Sequence, residues 1–376
     1  MSFGSFDELP WHETIPDETA VRWVGEGLVL KDALSEHDTQ MSTKGGMVSI
    51  PAPRAFDLRR FFGFIHLLSS PLSIDLGPLP RFFREVIDRG EGWVIRRTGH
   101  GVVERLFTDH DYFMPEYQEH PVKTSRDWRD YEKRFDPYDV RRYPKSWGSE
   151  FIEGLRQSEI PVGICFHGLF AFGRELMGTV DFLMAFYDNP KLVQDMMAQR
   201  VDFLIEAMKP AVETLKSDID YVFWHEDMAY KNGPFISPDL FRMFMLPGYK
   251  RLADFFFSNG VKVILLDCDG DCRPLVPLYL EAGINGLWPL EAAAGMDAVA
   301  LRKEYGRRLV LAGNIDKRIL VSGNRDAIRD EIERKIGFFR EDGGFVVSLD
   351  HGVSPDISLE VFKYYAETVK RSICRE

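Results

Sequence analysis

The chain has 376 residues, of which 45% are hydrophobic, and its net charge at neutral pH is -12. This length and composition allow a large buried core, in one large α/β domain or two smaller ones. The chain has 59 acidic residues against 47 basic ones and no local cluster of Lys and Arg. These features argue against a protein that binds the phosphate backbone of nucleic acids.

The first residues, MSFGSFDELPWHETIPDE, are acidic and lack the basic and apolar regions of a secretory signal. No segment is long and apolar enough to suggest a membrane span, so we expect a cytoplasmic protein. The four cysteines, Cys165, Cys268, Cys272 and Cys374, are too few for a disulfide framework in so long a chain.

Residues 1–150 mix short apolar pieces with Pro and Gly, and we predict that they form an N-terminal extension together with the early barrel elements. The segment Trp93 to Leu106 contains two runs typical of strands on either side of Thr-Gly-His-Gly, which predicts a β-hairpin. We expect residues 1–376 to form a single domain.

From Ile160 onward, apolar runs alternate with amphipathic segments. The predicted strands are Val162–Phe166, Tyr221–Trp224, Val261–Leu266, Gly286–Trp288, Leu309–Leu311 and Phe345–Ser348. The predicted helices are Pro190–Met208, Pro238–Phe257, Pro274–Ala282, Asp297–Tyr305, Arg325–Arg340 and Ser358–Lys370. This alternation is typical of parallel α/β structure, either a doubly wound sheet or a (β/α)₈ barrel.

Polar residues follow nearly every predicted strand, and this feature favours the (β/α)₈ barrel. They are His167, His225-Glu226-Asp227, Asp267 to Asp271, Glu291, Asn314-Asp316-Lys317 and Asp350-His351. In a barrel the carboxyl ends of all strands meet at one mouth, which is where such enzymes carry out their chemistry.

The stretch VKVILLDCDGDC, residues 261–272, ends in three acids spaced by two. Strand side chains alternate between faces, so Asp267 and Asp269 are predicted on one face and Cys268 on the other. A metal ion, a basic side chain or a substrate could balance the acids; alternatively, they are solvated loop residues that cap the next helix. A CxxxC pattern without a second pair favours structural roles for Cys268 and Cys272.

Other polar residues at the strand ends also have two interpretations. Glu226 and Asp227 could be functional acids with shifted pKa values, or they could hold a neighbouring loop. His351 fits a functional residue or a hydrogen-bonded structural histidine. Lys317 fits a Schiff-base lysine, although an ion-paired lysine is the commoner case. Neither GxxxxGK[ST] nor GxGxxG occurs in the sequence.

Five segments together resemble the uroporphyrinogen decarboxylase superfamily. They are HEDMAYKNGPFISPDLFRMFMLPGYKRL, LLDCDGD, LYLEAGINGLWPLE, LAGNIDKRIL and GGFVVSLDHGVSPDISLE. The resemblance runs from about Pro161 to the C terminus and covers more than half of the chain. It implies a (β/α)₈ barrel that is related to the haem-pathway decarboxylase and to zinc-dependent, corrinoid-linked methyltransferases.

Comparison with the zinc methyltransferases implies a metal site. Those enzymes have His-x-Cys-Gly after one strand and Cys-Gly after the last, where this chain has Asp267-Cys268-Asp269-Gly270 and His351-Gly352. A later glutamate completes the metal shell in those enzymes, and Glu291 matches it. The resemblance therefore implies zinc ligation by Asp267, Asp269, Glu291 and His351, a harder site than one built with thiolates.

The implied function is transfer of a methyl group from a small methoxylated substrate, with an aromatic methyl ether as one candidate, to cobalamin carried by a partner corrinoid protein. Zinc would act as the Lewis acid, and Glu226 or His225 would supply a proton or orient the substrate. Trp224, Trp288 and Phe166 would line an apolar pocket, and the same hypothesis assigns substrate binding to two further residues, His167 and Lys317. The superfamily also implies a homodimer.

Two other functions remain open from the sequence. A metal-independent decarboxylase acting on a cyclic polycarboxylate is the first, although the arginine-rich N-terminal motif of the true decarboxylase is missing. A non-catalytic barrel that binds a tetrapyrrole or corrinoid is the second. The acids at so many strand ends favour catalysis.

Overall fold

The structure is a computed structural model that describes residues 8–28, 36–43, 46–53, 55–65, 67, 72–107, 115–158 and 160–374. The strands are β1 (Glu36–Thr43), β2 (Gly46–Pro53), β3 (Glu85–Gly90), β4 (Trp93–Arg97), β5 (Val103–Phe107), β6 (Glu116–Glu119), β7 (Gly163–His167), β8 (Tyr221–His225), β9 (Ala229–Tyr230), β10 (Gly233–Pro234), β11 (Ile264–Asp267), β12 (Gly286–Trp288), β13 (Val310–Ile315) and β14 (Phe345–Leu349).

The helices are α1 (Asp17–Gly25), α2 (Ala55–Phe62), α3 (Ser125–Tyr131), α4 (Ser149–Arg156), α5 (Leu169–Met177), α6 (Thr179–Asp188), α7 (Pro190–Leu215), α8 (Pro238–Leu240), α9 (Leu246–Ser258), α10 (Val276–Glu281), α11 (Ala298–Tyr305), α12 (Lys317–Val321), α13 (Arg325–Phe339) and α14 (Leu359–Ile373). A π-helical turn, Phe241–Met245, joins α8 to α9. Within the described ranges, no helix combines the length and apolar character that crossing a bilayer requires.

Six parallel strands form the central sheet, in the order β14-β13-β12-β11-β8-β7. Each of the six predicted strands is confirmed, with ends that differ by a few residues. The predicted helices are confirmed too, and α7 extends seven residues beyond the predicted end at Met208, to Leu215. Helix starts follow the expected chemistry, since the hydroxyl of Ser237 accepts the Leu240 amide at 3.2 Å and that of Ser358 accepts the Val361 amide at 3.3 Å.

Two short N-terminal segments occupy the remaining positions of the (β/α)₈ barrel. Trp11 bridges in parallel to Val347 of β14, and His12 bridges in parallel to Ile65. The amide of Ile65 donates to the carbonyl of Trp11 at 2.8 Å. The barrel fold predicted from the strand ends is therefore confirmed, although single bridges rather than regular strands supply its first two positions.

Alternation along the strands separates the barrel interior from the layer beneath the helices. The interior cluster comprises Leu67, Tyr221, Phe223, Val263, Leu265, Val310, Ala312 and Val346, with Ile65, Cys165 and Trp288 against it. The intervening residues belong to the larger cluster under the helices, which includes Phe166, Val222, Trp224, Ile264 and Leu266. Odd-numbered residues of β7, β8 and β11 therefore face inward, and this parity decides which strand-end side chains reach the mouth.

The four strands β3 to β6 form a separate antiparallel sheet in sequence order. The hairpin predicted around Thr-Gly-His-Gly is confirmed, because β4 pairs with β5 from Trp93↔Phe107 to Arg97↔Val103. Gly101 in its turn has φ +87°, a conformation that favours glycine. The hairpin tip reaches the barrel, where His100 Nδ1 is hydrogen-bonded to the carboxylate of Glu175 on α5.

Glu13 is a buried acid that links the first barrel position to the last helix. Its Oε1 accepts from Tyr365 Oη at 2.5 Å and from Trp11 Nε1 at 2.8 Å. Burial raises the pKa of this carboxyl to about 8, against an ordinary value of 4.5, although those hydrogen bonds oppose the shift. Glu13 is therefore protonated in the native protein at neutral pH, while the unfolded chain releases that proton.

This difference predicts that the protein loses stability as the pH rises. The contribution of neutral Glu13 is complete below about pH 4.5 and is lost progressively up to about pH 8, a change on the order of a few kcal/mol. In Glu13→Gln, the free energy of unfolding from urea titrations should fall less between pH 5 and 8 than in the wild type. Glu360→Gln, at an exposed ion pair with Arg325, is the control and should keep the wild-type slope. Equal slopes in all three proteins would refute the assignment.

Candidate metal and substrate site

A histidine and two aspartates form a compact group at the mouth of the barrel. His225 Nδ1 lies 2.6 Å from Asp267 Oδ2, and His225 Nε2 lies 3.5 Å from Asp227 Oδ2. Ligand atoms from these three residues all lie within 4.8 Å of one another, and this is the one such group of potential metal ligands among the described residues. We call it the His225 cluster.

The local backbone explains how the His225 cluster forms. His225 and Asp267 are opposite each other in the parallel register of β8 and β11, and both face inward. Asp227 follows two residues after His225 with φ +47°. Arg174 of α5 holds it, donating to the Asp227 carbonyl at 3.0 Å and to its carboxylate at 3.4 Å. The three ligand positions are thus fixed by two strands and a neighbouring helix.

The charges within the cluster are strongly coupled. Burial opposes protonation of His225, but the hydrogen bond and charge of Asp267, together with Asp227, raise its pKa to about 9. Burial raises the pKa of Asp267 to about 7, and His225 opposes that shift. Just above neutral pH the pair is therefore an imidazolium and a carboxylate, and one proton occupies the position where a cation would bind.

The donor set fits a divalent metal ion. One imidazole nitrogen and two carboxylate oxygens are ligands that zinc and harder divalent ions accept. The hydrogen bonds from Arg174 to Asp227 provide the kind of outer support that orients a metal-ligating carboxylate. His225, Asp227 and Asp267 are the residues that would hold the ion.

The four metal ligands predicted from the sequence do not form one group in the structure, since they contact three different sets of partners. Asp267 belongs to the His225 cluster, whereas Asp269 Oδ1 lies 3.4 Å from His351 Nε2. Glu291 Oε2 instead accepts the amide of Gly270 at 2.9 Å, which holds the loop after β11. The structure groups Asp267 with His225 and Asp227 rather than with Asp269, Glu291 and His351, and the ligand set implied by the resemblance stays a prediction.

His351 lies on the side of the mouth where β14 ends and contacts Asp269, whose amide donates to Asp227 Oδ1 at 3.3 Å. Burial disfavours its charged form, but Asp269 and Asp350 raise its pKa to about 10. Asp350 is 1% exposed and its carboxylate accepts the amides of Ala292 at 3.0 Å and Lys317 at 3.2 Å. The Lys317 side chain is half-buried at the start of α12 on this same side.

Glu226 faces away from the mouth, and its assignment as a proton donor to substrate stays a prediction. It is 0% exposed, and its carboxylate accepts five hydrogen bonds. The donors are the amides of Leu169, Phe170 and Ala171, Trp224 Nε1 and Tyr249 Oη, at 2.5–3.0 Å. Three of these are free amides at the start of α5, so Glu226 caps that helix from a neighbouring strand.

The two aromatic residues predicted beside the catalytic group point in the same outward direction. Trp224 is 0% exposed and packs on Tyr249, with ring centroids 4.4 Å apart, so it cannot line a substrate pocket in the barrel. Phe166 also belongs to the cluster under the helices, 5.2 Å from Trp224. Trp288 faces the interior, opposite Asp267 in the register of β11 and β12, as the substrate-pocket prediction requires.

Cys268 lies on the opposite face from the acids, as alternation predicted. It is 2% exposed and its thiol contacts the carbonyl of Asp269 and the thiol of Cys272, which is equally buried. Both cysteines are free thiols. This packing fits their structural interpretation.

A cavity of about 990 Å³ lies over the His225 cluster, between the barrel mouth and the β3 to β6 sheet. His167, His225 and Asp227 line its barrel side. Its opposite wall carries two ion pairs, Arg96 with Glu104 and Arg97 with Glu85. We call this space the main cavity. Its volume leaves room for a ligand larger than one methoxy group, and its charged walls suit a ligand with polar groups.

The sequence analysis missed the residues that join the two sides of the main cavity. Glu175 is bonded to His100 of the hairpin and lies 3.7 Å from His167 of β7. Burial opposes ionisation of Glu175, but the hydrogen bonds and charges of the two histidines hold its pKa well below the ordinary value. The sequence did contain a sign of these residues' importance, because Arg174 and Glu175 are the two charged residues in the otherwise apolar helix LFAFGRELM.

The family model described as uroporphyrinogen decarboxylase (URO-D) matches residues 111–372. The chain belongs to the URO-D family. Curated family members include the uroporphyrinogen decarboxylase of Hahella chejuensis, 33% identical over 133 residues that cover 32% of this chain and 36% of the relative. The uroporphyrinogen decarboxylase of Chlorobium phaeobacteroides is 25% identical over 211 residues, 54% of this chain and 56% of the relative.

These matches span between about a third and about half of the relatives' lengths. Among solved structures, a methyltransferase from Methanosarcina mazei superposes with a TM-score of 0.51 at 19% identity, covering 69% of this chain and 73% of that one. At this level of identity the superposition supports the fold alone. Members of the URO-D family are enzymes, and this agrees with the catalytic interpretation of the strand-end acids.

Proposed function

We propose that the protein is a methyltransferase that moves a methyl group from a small methoxylated compound to cobalamin carried by a partner corrinoid protein. The observation that carries this proposal is the His225 cluster, three convergent metal ligands beneath a cavity of about 990 Å³. A divalent ion such as zinc would, if bound there, supply Lewis acidity toward the methoxy oxygen, which departs as part of the demethylated product when the methyl group is transferred to cobalamin.

The protein's own residues would position the substrate and the ligands. Arg174 fixes Asp227, and the β8–β11 register fixes His225 beside Asp267. His167, whose ring centroid is 4.9 Å from that of His225, is exposed in the main cavity and can bond a polar substrate group. Trp288 contributes an apolar surface beside the cluster. The width of the main cavity supports access by a bulky acceptor.

Decarboxylation of a carboxylated substrate is the second candidate. It is favoured by the names of the curated relatives and by the arginines of the main cavity, Arg84, Arg96, Arg97 and Arg174. In that function a protonated His225 would be placed to donate a proton to the carbon from which carbon dioxide leaves. No metal ion would be needed.

One paired assay separates the two functions. Metal-loaded protein is incubated without oxygen with cob(I)alamin and a panel of methoxylated aromatic compounds, and methylcobalamin is followed by its absorption spectrum. We expect methylcobalamin formation that a chelator abolishes. Release of carbon dioxide from uroporphyrinogen, unaffected by the chelator and without methylcobalamin from any donor, would instead support the decarboxylase.

A further inference from the structure

A second cavity, of about 480 Å³, lies beside the edge strand of the barrel sheet. We call it the side chamber; the residues that matter to its chemistry are Tyr131, Phe135, Phe166, Phe172, Glu175 and Arg200. Residues 73–78 form its opposite wall. Within the described ranges, the recorded pairing of β7 is with β8 on one side, and the chamber lies toward its other side.

The side chamber communicates with the candidate active site through shared residues. His100, His167 and Glu175 line both the side chamber and the main cavity. The His167 ring centroid is 4.9 Å from that of His225. A ligand held in the side chamber can therefore extend a substituent past His167 toward the His225 cluster.

Arg200 is a buried cation in this chamber and is only 3% exposed. Its Nη1 and Nη2 donate to the backbone carbonyls of Leu76 at 3.0 Å and His167 at 2.7 Å. Its Nε has no hydrogen-bond partner, and within the described ranges Glu175 and Glu226 act on it through their charges, which favour the cation, without forming an ion pair with it. Burial of a cation without a paired anion is costly, which favours a ligand that brings the anion.

The other walls restrict the shape of that ligand. Glu175 is already hydrogen-bonded to His100 through one carboxylate oxygen, and its other oxygen lies 3.7 Å from His167 Nδ1, so both oxygens already have a neighbouring histidine. The guanidinium of Arg200 lies 4.5 Å from the Phe172 ring centroid, and three more aromatic side chains line the chamber. Aromatic walls with one buried cation suit a flat apolar body that carries a single anionic group.

We infer that the side chamber binds the ring and carboxylate of an aromatic acid, with Arg200 as the residue that selects the anion. This inference rests on the proposed function in one respect: it makes the methyl donor an aromatic acid whose methoxy group lies toward the His225 cluster. Binding of the acid itself requires neither a metal ion nor the corrinoid protein.

Calorimetry with the wild-type chain tests the inference directly, using benzoate, benzamide and acetate as probes. Benzoate should bind at least about tenfold more tightly than benzamide, which has the same shape without the charge, and than acetate, which has the charge without the ring. Equal affinities for benzoate and benzamide, or no benzoate binding at millimolar concentration, would overturn it.

Variants of Arg200 then separate recognition from structure. In Arg200→Gln the preference for benzoate over benzamide should disappear, while Arg200→Lys should retain part of it. A purely structural role would weaken both ligands equally and leave the ratio unchanged, which would count against the inference. Arg251→Gln, at an exposed pair with Asp202, is the matched control and should preserve the wild-type ratio. If Arg200→Gln does not fold, the wild-type probe series still decides.

The inference and the proposed function fail in different ways. Selective benzoate binding without methylcobalamin from 4-methoxybenzoate or any other methoxylated donor would retain the side-chamber site and remove the methyltransferase. Methylcobalamin from methoxybenzene that benzoate does not inhibit would retain the methyltransferase and remove the site.

Discussion

Replacing His225 with alanine, or Asp227 with asparagine, is expected to abolish stoichiometric binding of a divalent metal ion and to lower methyl transfer at least about 100-fold. His225→Ala removes one of the three ligands that lie within 4.8 Å of one another, and Asp227→Asn removes the negative charge of another. Metal content after dialysis, measured by mass spectrometry, and the methylcobalamin assay provide the two readouts. Thermal unfolding of each variant checks that the barrel is intact.

The contrasting variants are Asp269→Asn and His351→Gln, which alter the residues that the sequence resemblance assigned to the metal. Because Asp269 and His351 contact each other outside the His225 cluster, these proteins should retain the metal ion. Asp195→Asn, at an exposed pair with Lys191, serves as the surface control. Loss of metal from Asp269→Asn and His351→Gln, together with its retention in His225→Ala, would favour the ligand set implied by the family.

Glu226→Ala is expected to be the most destabilising single change at the site, by about 4 kcal/mol or more. It would leave five buried donors without an acceptor, three of them at the start of α5. Glu226→Gln retains one carbonyl oxygen and should lose roughly half as much. Urea unfolding gives both values, and Glu281→Ala at an exposed pair with Arg242 and Lys250 should lose about 1 kcal/mol or less.

The same variants distinguish a helix cap from a proton donor. If Glu226 acts only through structure, Glu226→Gln will bind metal normally under native conditions and its activity will keep the wild-type pH profile. A normal free energy of unfolding combined with a large loss of activity would show that Glu226 takes part in the reaction. Gly168 supports the structural role, since a Cβ there would lie 2.0 Å from Glu226 Oε1.

The sequence was sufficient for the six regular barrel strands and for six of the helical segments after them, because each has a clear apolar or amphipathic pattern. It did not predict α5, α6 or α12. The first two barrel positions were not predictable, since each is a single bridge within irregular chain. Their hydrogen bonds join residues far apart in sequence, such as the His12 amide with the Val347 carbonyl. Local pattern contains no information about such pairings.

The site prediction would have been better if the alternation of side chains between the two faces of a strand had been applied to every strand. The alternation that placed Cys268 away from the acids also places Glu226 and Trp224 on the opposite face from His225. Applied to β8, it selects His225 and then Asp227, two residues on, as the inward groups. The contacts of Arg174, Glu175 and His100 required the structure, because a hairpin and a helix 75 positions apart meet there.

The pairing of the first barrel segment with β14 has a consequence for synthesis of the protein. Leu9 donates to the carbonyl of Ile373, and Val347 donates to that of Pro10, so the two ends of the described chain are neighbours. On the ribosome, residues 10–12 emerge before β14 and remain unpaired until β14 has emerged. The barrel can close only after that point. Joining residues 9 and 373 through a short linker and opening the chain at an exposed loop should therefore give a circular permutant that folds by a different order of assembly.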